Sequence, residues 1–259
     1  AVVGRRGDSE WQIRADVISV LLTVDLVAQY PDVLFAGLED TNHEVRKVAL
    51  KALITLEPET LAQYADAVVA MLEDSDNNVR GRALCTLGQL EREALTQRIE
   101  AVVGRRGDSE WPNRASVIQI LMRVDLVAQY PDVLFAGLED SNHEVRKVAL
   151  QAWGKLKPET IARHADAVVA MLEDSHGEVR NRAWSVVLKL EPSTLAQHAN
   201  ALLARLDDPD ETVRNYALQA LERLQPATLA QCADAVLARL EDSDRDNRDL
   251  ALEGLSKLE

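Results

Sequence analysis

The stretch that decides the fold is Leu72-Glu73-Asp74-Ser75-Asp76-Asn77-Asn78-Val79-Arg80. It closes one apolar run with an acid-rich turn and opens the next run with Val-Arg. The same phrase returns at Leu38–Arg46, Leu138–Arg146, Leu172–Arg180, Leu206–Arg214 and Leu240–Arg248. Damaged forms stand at Arg6–Arg14 and Arg106–Arg114. A phrase recurring at about 34 residues marks tandem units, each of which buries its apolar face only against its neighbours.

Aligned on the phrase, the chain reads as a single continuous array over 1–259. Residues 1–26 are a partial repeat. Repeats follow at 27–60, 61–94, 95–126, 127–160, 161–194, 195–228 and 229–259, and the one at 95–126 is degenerate and two residues short. A longer period lies on top, because residues 1–100 are duplicated as 101–200. Val24–Asp40 and Val124–Asp140 are identical.

Each repeat reads as two helices. In the first, Leu61, Ala65, Val68, Val69 and Leu72 make one helical stripe, and Thr60 with Gln63 forms a capping-box pattern that Thr194–Gln197 and Thr228–Gln231 repeat. In the second, Val79, Ala83, Leu84, Leu87 and Leu90 share a face. Its N-cap column holds Asn42, Asp76, Asn142, Asp210 and Asp244. The first repeat is truncated and the last ends on an uncapped apolar face. The array is therefore expected to be part of a longer one or to self-associate end to end.

A two-helix unit with Leu-x-Asp closing the first helix and Val-Arg-x-x-Ala-x-x-x-Leu opening the second resembles the HEAT repeat. Val45-Arg46…Ala49…Leu53, Val79-Arg80…Ala83…Leu87 and Val213-Arg214…Ala217…Leu221 carry the likeness. The resemblance implies an all-α, armadillo-type α-solenoid superhelix whose second helices line a concave face, and a scaffold that holds other proteins. The phycobilisome-lyase-like subgroup is similar too and implies a chromophore-handling alternative. A structural spacer or an excised or engineered array is the third reading.

Composition narrows the partners. The net charge is −14 and the pI near 4.9. Such a surface repels phosphate backbones and anionic lipid, so nucleic acid and membrane are poor partners. There are 2 cysteines and no Cys/His cluster, so no disulfide framework and no metal site is expected. No apolar run approaches membrane-spanning length and no leader is visible, which points to the cytoplasm. His43, His143, His164, His176 and His198 fall into no catalytic spacing, and no phosphate loop or nucleophile elbow occurs. No enzyme activity and no cofactor are expected. His164 and His198 share a column with Tyr64 and Cys232 that reads as surface.

The paired charges of the phrase recur in every repeat and suit the contact that every repeat shares. Asp40 and Arg46, Asp74 and Arg80, Asp140 and Arg146, Asp174 and Arg180, Asp208 and Arg214, Asp242 and Arg248 are therefore expected to form a structural ladder. Binding residues belong where repeats differ. On the second helices those positions carry Lys47, Arg82, Trp111, His143, Lys147, Asn181, Arg182 and Tyr216, a mix suited to another protein or an acidic peptide. Unselected drift explains the same variation. In the degenerate repeat, Arg105, Arg106 and Gly107 mark either a docking point or hinge or a decayed unit, and Arg106 should turn outward because burying it unpaired is costly. The Arg-Gly-Asp-Ser tetrapeptides at Arg6–Ser9 and Arg106–Ser109 resemble an integrin ligand, but the alignment already assigns Asp108 to the ladder.

Overall fold

A computed structural model describes residues 3–258; residues 1, 2 and 259, at the outer edges of the partial and last repeats, lie outside the described residues. The structure divides after Leu126 into two compact bodies. In the first, the long helices are α1 (Trp11–Thr23), α2 (Pro31–Leu38), α3 (His43–Leu53), α4 (Asn77–Leu87) and α5 (Trp111–Arg123). In the second they are α6 (Pro131–Leu138), α7 (His143–Trp153), α8 (Gly177–Val187), α9 (Glu211–Glu222) and α10 (Arg245–Ser256). Short helical turns complete the repeats, and the described residues contain no strand. The fold class is all-α, of the helical-repeat solenoid type.

The second helices form where the caps predict. The side chains of Asn42, Asp76, Asn142, Asp210 and Asp244 each accept a backbone N–H of the first turn, which satisfies a donor that the helix itself cannot. Val79, Ala83, Leu84, Leu87 and Leu90 are all buried. Neighbouring second helices pack side by side, as α1 on α3, α3 on α4, α7 on α8 and α9 on α10.

The first helices correct the sequence reading. The expected capping boxes at Thr60, Thr194 and Thr228 do not form. The helices begin earlier, at Pro58, Pro192 and Pro226, because proline suits a first position that needs no N–H donor. Thr60 thus lies inside the first turn. The rest of the arm is broken into short pieces, such as Ala62–Tyr64, Ala65–Ala70 and Met71–Glu73. The column of Tyr64 is not surface either. Tyr64 and Cys232 are buried, Tyr64 stacks on Phe35 at 4.6 Å, and His164 sits edge-on to Phe135 and Trp153.

The degenerate repeat keeps a short helix, Ile99–Val103, followed by a 3-10 turn, Gly104–Gly107. Arg106 is exposed, as its burial cost requires. The two missing residues are absorbed by a tight turn at Asp125, whose φ is 59°, matched by Asp25 at 56°. The N–H of Leu126 reaches the carbonyl of Leu121 at 3.0 Å, and that of Leu26 reaches Leu21 at 2.9 Å. This is the Schellman closure, here with aspartate where glycine is usual. In the second body the core enlarges around Trp153 and Trp184, both fully buried.

Candidate binding surface

The repeating charges form the ladder, and its direction is uniform. Where a rung forms, the arginine reaches forward to the aspartate of the next repeat. Arg14 holds Asp40 at 2.6 and 2.7 Å, and Arg46 holds Asp74 at the same two distances. Arg80 holds Asp108 at 2.6 and 3.0 Å, Arg146 holds Asp174 at 2.6 and 2.9 Å, and Arg214 holds Asp242 at 2.8 and 3.0 Å. These are bidentate, charge-assisted bonds. The third guanidinium arm returns to the carbonyl of the arginine's own repeat, at Asp8, Asp40, Asp74, Asp140 and Asp208 respectively. Each carboxylate also accepts the N–H two residues ahead, as Asp74 does from Asp76 and Asp174 from His176. Burial pushes the carboxyls of Asp74, Asp108 and Asp174 up, but the arginine and backbone donors outweigh it and hold each below its ordinary range. For Asp40 the Arg14 hydrogen bonds are the largest influence, and its carboxyl is lowered too.

One rung is missing. Arg180 bonds the carbonyls of Asp174 and Ser175 only, and its Nε is buried without a partner. Asp208, followed by Pro209, accepts the Asp210 N–H and no arginine among the described residues. The tetrapeptide at 106–109 is accounted for by the ladder, since the Asp108 side chain is 1% exposed beneath Arg80.

Two further sets of cations join repeats. Arg105 donates to the Leu72 carbonyl at 3.1 Å and pairs with Glu73 at 2.7 Å. Arg239, at the same register, donates to the Leu206 carbonyl and pairs with Asp207, and Arg205 pairs with Glu173. Arg105 is thus a strap to the preceding repeat. At the far ends of second helices, Lys189 donates to the Gly154 carbonyl, Arg223 to those of Leu188 and Leu190, and Lys257 to that of Glu222. Sequence reasoning missed both sets, because methionine, glycine, threonine or glutamine fills these columns elsewhere.

The candidate binding residues fall into different environments. In the first body, Lys47 is paired with Glu44 at 2.9 Å on its own helix. Arg82 is half-buried, and its guanidinium has no hydrogen-bond or ion-pair partner among the described residues. Trp111 is 40% exposed at the start of α5. Gly107 is exposed, with open space where a Cβ would stand. In the second body, Lys147 is clasped by Glu144 and Glu178, so it is not a free cation. His143 stacks on His176 at 4.0 Å. Tyr216 lies 6.2 Å from Trp184, ring to ring. Asn181 is half-buried, with its Oδ1 lacking a partner. Arg182 is exposed.

The structure joins some of these into a groove. Between α4 and α5 lies a cavity of about 400 Å³ bounded by Lys47, Asn78, Arg82, Cys85, Asn113 and Ser116. A second, of about 240 Å³, continues from Cys85 and Ser116 to Gln89 and Arg123. A Cβ on Gly81, in its wall, would meet Asn113 Oδ1 at 2.7 Å and force that side chain to shift. Asn113, which replaces the usual valine, is 4% exposed and donates to the Asn77 carbonyl and to Asp108. Among the described residues no cluster of His, Cys, Asp and Glu is arranged to hold a metal. No described helix is long and apolar enough to cross a membrane.

Comparisons with known proteins agree with this geometry. A family model described as HEAT repeats matches residues 31–122. No curated protein matches the chain. Among solved structures, the crystal structure of an engineered protein is similar at a TM-score of 0.60 and 16% identity, covering 99% of this chain and 77% of that one. A chain in a homology model of the full-length AP-3 complex is similar at a TM-score of 0.69 and 16% identity, and this chain, 99% covered, spans 50% of it. At such identities the likeness is one of fold. The matched segment, however, is largely repeated by the duplication of 1–100 as 101–200, and the same kind of rung recurs at Arg214 and Asp242. Residues 31–122 match the HEAT-repeat family, and the rest of the chain repeats the same two-helix pattern.

Proposed function

We propose that this chain is a non-enzymatic scaffold that holds another protein on the surface formed by its second helices. The fold class is one of scaffolds that work by shape. The observation that carries the reading is a division among the arginines. Those of the formed rungs are turned into bonds between repeats, whereas Arg82 and Arg182, in a column that elsewhere holds Asp16, Val48, Ser116 and Tyr216, have no hydrogen-bonding partner among the described residues. Trp111 adds an exposed aromatic anchor on the same kind of position. Cys85 and Cys232 are free thiols, which suits a reducing compartment such as the cytoplasm.

The test is chemical cross-linking and affinity capture with the intact chain, beside a variant carrying Arg82→Glu, Trp111→Ala and Arg182→Glu. A specific protein recovered by the first and lost by the second is expected. Equal recovery by both would overturn the reading and leave a spacer.

A further inference from the structure

We propose that the groove between α4 and α5 is a binding site for an extended, acidic segment of a partner protein. The proposal deepens the scaffold reading and rests on it. The two cavities share Cys85 and Ser116 and so form one trough along the paired helices. Arg82 stands toward one end and Arg123 at the other. Neither guanidinium has a partner among the described residues. Arg123 occupies the column of the cationic clamps, yet unlike Lys189 and Arg223 it makes no bond to the preceding repeat. Glu110 is the single acid lining the trough, and Lys47 is balanced by Glu44. In a chain of net charge −14, this trough is locally positive.

The dimensions select an extended chain. The ladder sets α4 and α5 side by side, so Arg82 and Arg123 differ by seven positions in register, or roughly 10 Å at the helical rise. That is about three residues of extended chain at its usual rise. Two carboxylates at that spacing would meet the two guanidinium groups, each of which prefers bidentate contact with a planar anion. The Asn78 amide donates to Asn77 Oδ1 and the Ser116 hydroxyl to the Pro112 carbonyl, which leaves Asn77 Nδ2 as a donor and Asn78 Oδ1 and Ser116 Oγ as acceptors for the partner's backbone.

The repeat register supplies an internal comparison. Between α8 and α9 the positions of Gly81, Ser116 and Asn78 are held by Asn181, Tyr216 and Glu178. Tyr216 packs near Trp184, and Glu178 is bound to Lys147. Larger side chains and an acid stand where the α4–α5 trough is open and basic.

The experiment is fluorescence anisotropy on the intact chain with labelled octa-glutamate, octa-glutamine and octa-lysine peptides. Octa-glutamate should bind best and weaken as salt rises from about 50 to about 300 mM, a range over which exposed charges become screened. Arg82→Glu plus Arg123→Glu should weaken it by at least about tenfold, the equivalent of one charge-assisted contact. Ser116→Tyr, which fills the trough without changing charge, should weaken it by a similar factor. Lys157→Glu plus Arg163→Glu, the same charge change on the second body, should leave it within about twofold, as sites that share no partners act independently. Equal loss in both charge variants, or full binding by Ser116→Tyr, would overturn the groove. Octa-glutamate binding no better than octa-glutamine would do the same. A cellular partner captured equally by Arg82→Glu plus Arg123→Glu would remove the groove and leave the scaffold reading standing, since that reading falls only on its own capture test.

Discussion

Arg46 grips the carboxylate of Asp74, 28 residues ahead in the next repeat, through Nε at 2.6 Å and Nη2 at 2.7 Å. The side chains are 12% and 5% exposed. The bond therefore fixes the offset between neighbouring second helices from a largely desolvated position. Removing one partner leaves the other charge buried, and Asp74→Asn should cost about 3 kcal/mol. Asp208→Asn should cost less than about 1 kcal/mol, because Asp208 holds no arginine and an asparagine oxygen can still accept the Asp210 N–H. Urea unfolding midpoints of the two variants check the difference; equal losses would mean that the rung contributes nothing.

Acid should release the ladder in a defined window. The Asp242 carboxyl is held down to about 2 from 3.8, first by the Arg214 hydrogen bonds and then by the Asp244 N–H and the Asn247 amide, against the upward push of burial. Its folded value lies below its unfolded one. Its contribution is thus complete above about pH 4 and is lost as pH falls through about 2, for a total of roughly 2 kcal/mol. A ¹³C titration of the Asp242 carboxyl should have its midpoint near the lower value. Asp242→Asn should narrow the stability difference from wild type as the pH approaches it.

The turn after α1 offers a gain in stability. Asp25 has a φ of 56°, a region that costs a side chain roughly 1 kcal/mol and glycine almost nothing. Asp25→Gly should therefore stabilise by about 0.5–1 kcal/mol, and Asp25→Val should destabilise by more than that, because β-branching is least tolerated there. Thermal unfolding of the pair checks the opposite signs.

Two helical glycines should respond oppositely to alanine. A Cβ on Gly37 would meet Ile18 Cδ1 at 2.7 Å and Ala49 Cβ at 2.9 Å, whereas one on Gly104 meets nothing within 4 Å. Gly37→Ala should lose about 1–3 kcal/mol by overpacking, and Gly104→Ala should gain up to about 1 kcal/mol of helix propensity. Parallel urea titrations decide it.

The repeats, the second-helix caps and the ladder columns were legible because each is a property of equivalent positions, and equivalence is visible in one chain. Direction was not. Arg46 stands six residues after Asp40 and 28 before Asp74, and only packing chooses the second. The break at Arg180 was invisible for the same reason, since both residues of the rung are present. Arg105 read as a docking anchor because its column carries methionine at Met71 and Met171; its true partners, the Leu72 carbonyl and Glu73, lie in the preceding repeat. For Lys147, the pairing with Glu144 was available from helical spacing. The one with Glu178 needed the neighbouring helix. The trough depends on what is small, Gly81 and Ser116, and small residues announce themselves weakly.

His176 stands where the earlier block has Asp76. Asp76 caps α4 by accepting from Asn78 N and Val79 N, both at 3.0 Å. His176 caps nothing; it stacks on His143 instead, with its Nδ1 buried and unpartnered. An imidazole edge cannot serve the first-turn donors as a carboxylate does, and a negative charge also suits a helix N-terminus. His176→Asp should therefore restore the cap and stabilise by about 1 kcal/mol, less whatever the imidazole stack contributes. The stack is removed without the cap by His176→Ala, so comparing the two variants separates the terms. His176→Asp must exceed His176→Ala in urea midpoint, and slowed amide exchange at Glu178 and Val179 should accompany it. Equal midpoints would show that the α8 terminus needs no cap.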